Sequence, residues 1–301
     1  MDKCSQTISD SCTKVLAAYA TNSKSVEVDK LNYSSSLKYL ILEDKFVSID
    51  IMDPVGFKVF QQQEGTAIPD SSVIADARIS DFLLGAERVK KQYDDIIRMK
   101  TANVGNAWLL VSTYYCAYFS CLEISKLFDR ISMSFDRNDF ESLANIATGQ
   151  YYNDFINMKN YNFVGKCNSE AIFFYSVGAK PHAAAWVNIL HCLKEIFKGK
   201  NWPESDRYIG VISDKDFSPS AIRNDWNYKR ADYFGVEGEK IGGEFKKLVG
   251  NSKGASEWLR RRYMSLNVFE PCVVAVLCEL LAPAVINAAS NVRRILAAKI
   301  D

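Results

Sequence analysis

The chain has 301 residues, 48% hydrophobic and 24% charged, with a formal net charge of +1. That length admits one large domain or two unequal ones, and the composition is that of a globular protein with its own core. The near-neutral balance excludes nucleic-acid binding driven by bulk charge; any such affinity would need a local basic patch.

The opening residues Met1-Asp2-Lys3-Cys4-Ser5-Gln6-Thr7 carry neither an apolar signal core nor an Arg-rich amphipathic leader, so a cytoplasmic location is expected. Two β-rich runs follow, Lys38–Leu42 and Phe46–Ile51. In the second, Val47, Ile49 and Ile51 alternate with Ser48 and Asp50, the period-2 mark of a half-buried strand. Glu43–Lys45 is the expected turn between them. Asp53-Pro54-Val55-Gly56 interrupts the pattern, Phe57–Phe60 is a third short strand, and Gly65–Ser72 reads as a linker. Residues 1–75 are therefore expected to form a small α+β module.

From Ile79 the period changes to ~3.6: Ile79, Phe82, Leu83, Ala86, Val89, Tyr93, Ile96 and Ile97 share one helical face. Asn106–Phe128 is apolar nearly all round and predicts a central buried helix. The aromatic-rich stretch at about 134–178 reads as an irregular insertion with short helices. His182–Phe197 is a third long helix, ended by Gly199. Ser218-Pro219 has the form of an N-cap followed by proline at the first helical position, so a helix beginning there carries Arg223 in its second turn. After a glycine-containing stretch, Ala255–Phe269 and Cys272–Ile300 close the chain as helices. The fold class expected for 76–301 is thus a mainly α bundle.

Cys272–Ala289 is apolar enough to raise a membrane span, but it contains Glu279, Pro283 and Asn287; a buried helix is the expectation, with no membrane partner. The eight cysteines are scattered without a CxxC pair, and only two histidines are present, so no metal or other cofactor is expected. No P-loop, GxGxxG, GxSxG or HExxH occurs.

Three segments in order carry a family signal. They are Trp108-Leu-Leu-Val-Ser-Thr-Tyr114-Tyr115-Cys-Ala-Tyr118-Phe119, then Lys180-Pro181-His182-Ala-Ala-Ala-Trp186. The third is Ser220-Ala-Ile-Arg223-Asn224-Asp225-Trp226-Asn227-Tyr228-Lys-Arg230-Ala231-Asp232-Tyr233. From about Ile79 onward the chain resembles the HEPN superfamily. The resemblance implies a four-helix bundle with one long insertion, and a homodimer. It also implies an RNA-directed effector of a toxin–antitoxin or phage-defence system, with an antitoxin or defence-complex partner.

The family's metal-independent ribonucleases use an Arg, a spacer of four to six residues, and a His. Arg223 matches the Arg, but the spacer here ends on Tyr228, Lys229 or Arg230. The resemblance therefore implies a variant site. Arg223 would grip phosphate oxygens with its planar fork, Tyr228 would stand where the His belongs, and His182 would be a replacement from another helix. Asn224, Asn227, Arg230 and the cluster Arg260, Arg261 and Arg262 are candidate nucleic-acid contacts. Each has a plainer reading beside it. Arg223 and Asn227 can serve neighbouring backbone, His182 can cap a helix, Tyr114 and Tyr115 can be core, and the Arg260–Arg262 cluster can be a solvated helix face. Two functions stay open: a variant ribonuclease, or a non-catalytic module that binds nucleic acid, a nucleotide or a partner protein.

Overall fold

A computed structural model describes residues 1–23, 26, 28–42, 47–53, 56–61, 71–148, 151–159, 161–167, 171–178, 180–268 and 270–299. The turn expected at 43–45 lies outside them, as does the linker expected at 65–72 except for Ser71 and Ser72, which open a helix.

The chain is mainly helical with one small sheet. The elements run α1 (Lys3–Asn22), α2 (Leu37–Leu42), β1 (Val47–Asp53), β2 (Gly56–Gln61), α3 (Ser71–Thr101), α4 (Asn106–Leu127) and β3 (Ile131–Ser134). They continue with α5 (Arg137–Ile146), α6 (Tyr152–Ile156), β4 (Asn162–Cys167), β5 (Ala171–Ser176), α7 (Pro181–Ile196) and α8 (Pro203–Ser213). Last come α9 (Pro219–Asn224), α10 (Val236–Leu248), α11 (Ser252–Arg262) and α12 (Pro271–Ala297).

Two compact units result. The first comprises Met1–Thr13, Gly85–Ile124 and Ala185–Ser290; the second comprises Lys14–Leu84, Ser125–Ala184 and Asn291–Asp301. This division differs from the boundary expected near residue 75. The reason is strand pairing: β1 and β2 join β5, β4 and β3 in one antiparallel sheet of order β1-β2-β5-β4-β3. The N-terminal strands and the stretch expected to be an irregular insertion are therefore one structural body, and that stretch supplies β4 and β5 outright.

Within the second unit the sheet alternates as half-buried strands must. Ile49 and Ile51, Phe57 and Val59, Phe163, and Ile172 and Phe174 are buried, while Lys58 and Phe173 are less covered and Tyr175 is exposed. Phe57 sits at the centre, stacked on Phe174 at 4.8 Å between ring centroids and edge-on to Phe163 at 5.1 Å. Lys38–Leu42 is not a strand. Leu37 and Ile41 are buried one turn apart, and the Ser36 hydroxyl accepts the Tyr39 backbone N–H at 3.2 Å, which starts a helix rather than extending the chain.

The first unit holds most of the four long helices expected to form the bundle: α3 from Gly85, α4 to Ile124, α7 from Ala185 and α12 to Ser290, while their remaining ends belong to the second unit. Ile96, Leu109, Tyr114, Ile189, Leu277 and Leu281 are each fully buried there. Two carboxylates lie inside this core. Glu279 of α12 accepts the Tyr93 hydroxyl at 3.0 and 3.1 Å, the Gly250 N–H at 2.7 Å and the Ser252 hydroxyl at 2.9 Å. Glu123 of α4 accepts from Arg88 at 2.9 Å, and Gly85 of α3 makes room for it. Among the described helices α12 alone is long and apolar enough to cross a membrane, and 83% of its apolar window is buried within the protein.

The glycine-containing stretch after residue 235 is helical. Gly238 packs where a Cβ would lie 1.7 Å from the Tyr233 carbonyl oxygen, and Gly242 where it would lie 2.6 Å from Asn106. Gly238 and Gly242 thus serve close packing, whereas Gly250, at φ +69°, turns the chain between α10 and α11. Asn106 opens α4 with its backbone N–H on Glu239 Oε1 at 3.1 Å and its side-chain amide on Glu239 Oε2 at 3.2 Å, so α10 caps α4.

Candidate functional site

The Arg223 segment is built as its composition suggests, with one addition. Ser218 and Pro219 start α9, although the Ser218 hydroxyl makes no capping bond. After Asn224 the helix widens: the Arg230 N–H bonds the Asp225 carbonyl, five residues back, at 2.9 Å. Such π-turns are rare and occur often at functional sites. Ile222 and Trp226 are buried and anchor the segment, and Trp226 packs on Tyr233 at 4.5 Å between centroids.

Arg223 is half-buried between α9 and α4. Its Nη1 donates to the Tyr115 hydroxyl at 2.9 Å. Its guanidinium carbon lies 5.3 Å from the Tyr114 ring centroid, 5.4 Å from that of Tyr115 and 5.9 Å from that of Tyr228. Three phenol rings thus surround one cation, each within cation–π range. The contact with Tyr228 depends on the π-turn. In a regular α-helix of ~3.6 residues per turn, residues five apart point in different directions. Arg223 Nε is buried and meets no acceptor among the described residues. A buried donor left without a partner is costly and calls for an explanation.

The rings differ in accessibility. Tyr114 is fully buried, 6.4 Å from Trp186 between centroids. Burial pushes its hydroxyl well above the ordinary tyrosine range, outweighing the Trp186 indole N–H and the Arg223 charge, which act the other way. Tyr115 is half-buried, whereas Tyr228 is 72% exposed. The cluster therefore opens to solvent on the Tyr228 side. Further along α4, Phe119 carries the Arg88 guanidinium at 4.0 Å, and Trp108 meets Phe234 edge-on at 5.5 Å.

The other candidates are distributed as follows. Asn224 and Asn227 are half-buried on the Arg223 segment. Arg230 is exposed and committed to Asp232 by a two-pronged contact, Nε to Oδ1 at 3.0 Å and Nη2 to Oδ2 at 2.6 Å, while lying over Tyr233 at 4.2 Å. That hydrogen-bonded guanidinium holds the Asp232 carboxyl below its ordinary range. Arg260, Arg261 and Arg262 form the last turn of α11, where cations favour the helix dipole. Arg260 and Arg261 reach Glu257 only at 3.8 Å and Arg262 reaches Glu244 at 3.6 Å, so these are loose surface pairs. His182 is half-buried in the first turn of α7 and belongs to the second unit, whereas Arg223 and Tyr228 belong to the first. Among the described residues no three His, Cys, Asp or Glu side chains converge as metal ligands would.

Sequence reasoning missed the Arg88–Phe119–Glu123 group and the Tyr93–Glu279 group. A carboxylate inside an otherwise apolar helix, at Glu123 and at Glu279, was the available signal for both. Compared with known proteins, the chain matches no family model, no curated protein and no solved structure.

Proposed function

We propose that this protein is a cytoplasmic, RNA-directed effector of the variant HEPN type, acting through Arg223. The observation that carries the reading is a guanidinium held among three tyrosine rings with its Nε–H buried and unpartnered among the described residues. Arg223 presents in-plane donors suited to phosphate oxygens, and the exposed Tyr228 ring beside it offers a face for a base. The resemblance supplies the biological setting: a toxin–antitoxin or phage-defence system, a homodimer that brings two Arg223 segments to a shared cleft, and an antitoxin or defence-complex partner. Arg223 binds and stabilises charge at phosphorus. Tyr228 is the group available for proton transfer.

The second reading is a non-catalytic module that binds nucleic acid, a nucleotide or a partner protein. It is favoured by the make-up of the Arg223 surround, which is phenolic. Ordinary tyrosines titrate near ~10 and are weak bases at neutral pH.

Inducible expression, following growth and total RNA integrity, separates the two. On the effector reading the unmutated chain arrests growth and fragments RNA, and Arg223→Ala and Arg223→Lys both relieve this, because lysine lacks the fork. Tyr228→Phe relieves it only if the hydroxyl moves a proton. Unchanged growth inhibition and RNA patterns in folded Arg223→Ala and Tyr228→Phe variants would rule out the nuclease. The binding module would then lead, with Arg260–Arg262 the next residues to replace.

A further inference from the structure

A second site of different chemistry lies in the second unit. A solvent-open cleft of about 320 Å³ is bordered by two 3₁₀ turns (Val28–Lys30 and Tyr33–Ser35), α2 and the first turns of α3. From α3 it receives Val73, Asp76, Ala77 and Ser80, spaced three, four and seven residues from Val73 and so on one helical face. That face would ordinarily be apolar throughout; here it carries a carboxylate and a hydroxyl. From the opposing turn come Ser34, Ser35 and Ser36. Ser36 and Ser80 are buried and Lys30 and Ser34 are exposed, so the cavity runs from a hydroxyl floor to a rim bearing an ammonium.

The hydroxyls are already oriented. Ser36 Oγ accepts the Tyr39 N–H at 3.2 Å and Ser35 Oγ accepts the Asn32 N–H at 3.4 Å. Each O–H proton is thereby left to donate. Ser34 donates to Asn32 Oδ1, which leaves its own lone pairs to accept. The remaining wall is apolar, from Val26, Leu31, Leu40 and Val73. Apolar walls with a few convergent polar groups are the usual make-up of small-molecule sites, and 320 Å³ is near the lower end of the ~300–1,000 Å³ such sites occupy. That size excludes a dinucleotide or a folded peptide segment.

We propose that this cavity binds a free α-amino acid with an aliphatic side chain. The Asp76 carboxylate meets the ligand's ammonium, Lys30 and the donating serine hydroxyls meet its carboxylate, and the Val26–Leu31–Leu40–Val73 wall takes the side chain. The site is separate from Arg223 and does not depend on what Arg223 does.

The test is calorimetric titration and thermal shift of the full chain with L-leucine, 3-methylbutylamine and 4-methylpentanoate. The last two keep the aliphatic group and lack the carboxylate or the ammonium. Saturable binding of L-leucine is expected, with each truncated analogue at least about tenfold weaker, as loss of one charge-assisted contact implies. Asp76→Asn should weaken L-leucine by a similar factor, and Val73→Phe, which fills the cavity, should abolish binding. No saturable binding at millimolar L-leucine overturns the proposal. So do equal affinities for all three ligands, or L-leucine binding that is unaffected in folded Val73→Phe. Should either variant fail to fold, the analogue series on the unmutated chain decides alone.

Discussion

Removing the Tyr115 hydroxyl tests whether Arg223 is held in place by design of the core. In Tyr115→Phe the ring stays, so its contact with the guanidinium at 5.4 Å is kept and only the 2.9 Å hydrogen bond is lost. A hydrogen bond to a charged group contributes about 1.5–3 kcal/mol. Arg223 is half-buried, so water recovers part of this, and a loss of about 1–2 kcal/mol is expected. Arg223→Ala loses the same bond and three ring contacts of about 0.5–1 kcal/mol each. It also removes the buried Nε donor, whose unmet bond costs about 1–3 kcal/mol in the parent. The two opposing contributions nearly cancel, so Arg223→Ala should cost little more than Tyr115→Phe. Urea unfolding followed by circular dichroism, with unchanged slope, reads both values. The double variant should be no less stable than Arg223→Ala alone, because the bond can be lost only once. A cost above about 4 kcal/mol for Arg223→Ala would refute the reasoning and mark Arg223 as an ordinary structural cation.

Three further outcomes follow from the core. In Gly85→Ala the new Cβ would lie 2.0 Å from Glu123 Cδ, displacing a fully buried carboxylate from Arg88. The helix-propensity gain of about 0.5–1 kcal/mol is outweighed by moving the fully buried Glu123 carboxylate off Arg88, whose own side chain is 47% exposed, and a net loss of about 1–3 kcal/mol in urea unfolding is expected; an equally stable variant would show that the Glu123 side chain can shift at no cost. Burial raises the Glu279 carboxyl above its ordinary 4.5, against the bonds from Gly250, Ser252 and Tyr93. The folded state then holds that proton more tightly than the unfolded chain. The group's contribution is full below about 4.5 and is lost as pH rises through the folded-state value. Urea midpoints measured upward from pH 4.5 should therefore fall more steeply for the parent than for Glu279→Gln, and parallel curves would count against the assignment. Gly165→Val should destabilise the sheet, because even a Cβ there would meet the Phe174 ring at 2.6 Å; a soluble variant with an unchanged melting temperature would contradict that packing.

What could be read from sequence was what is local. The periodicity from Ile79 onward marks α3, and the all-apolar run at 106–128 marks α4 to within a residue. The alternation at 47–51 marks β1. Lys38–Leu42 misleads because β-branched and aromatic content is weak evidence in a five-residue segment; the serine at position 36 and the burial of Leu37 with Ile41 decide for helix. The helix α10 was hidden by its glycines, whose purpose is visible only once Tyr233 and Asn106 are seen against them. The sheet was hidden for a different reason. Its pairing of Gly56–Phe60 with Ala171–Tyr175 spans more than a hundred residues, and no local pattern encodes which distant strand a given edge will meet.

The same distinction separates the two halves of the Arg223 cluster. Arg223, Asn227 and Tyr228 lie on one short segment and can be picked out together. The partner that fixes the guanidinium, Tyr115, is 108 residues away on α4. From sequence its paired tyrosines have one reading as core and another as site. In the structure the two residues divide those roles: the Tyr114 ring is fully buried with its hydroxyl group shifted up by burial, while Tyr115, one residue on, turns its hydroxyl to the cation. Adjacent helical residues point about 100° apart, so one tyrosine of such a pair can anchor the helix while the next serves the surface. This is why the pair is informative only when its opposing helix is known, and why replacing Tyr114 should unfold the unit, whereas replacing the hydroxyl of Tyr115 should loosen Arg223 and leave the rest standing.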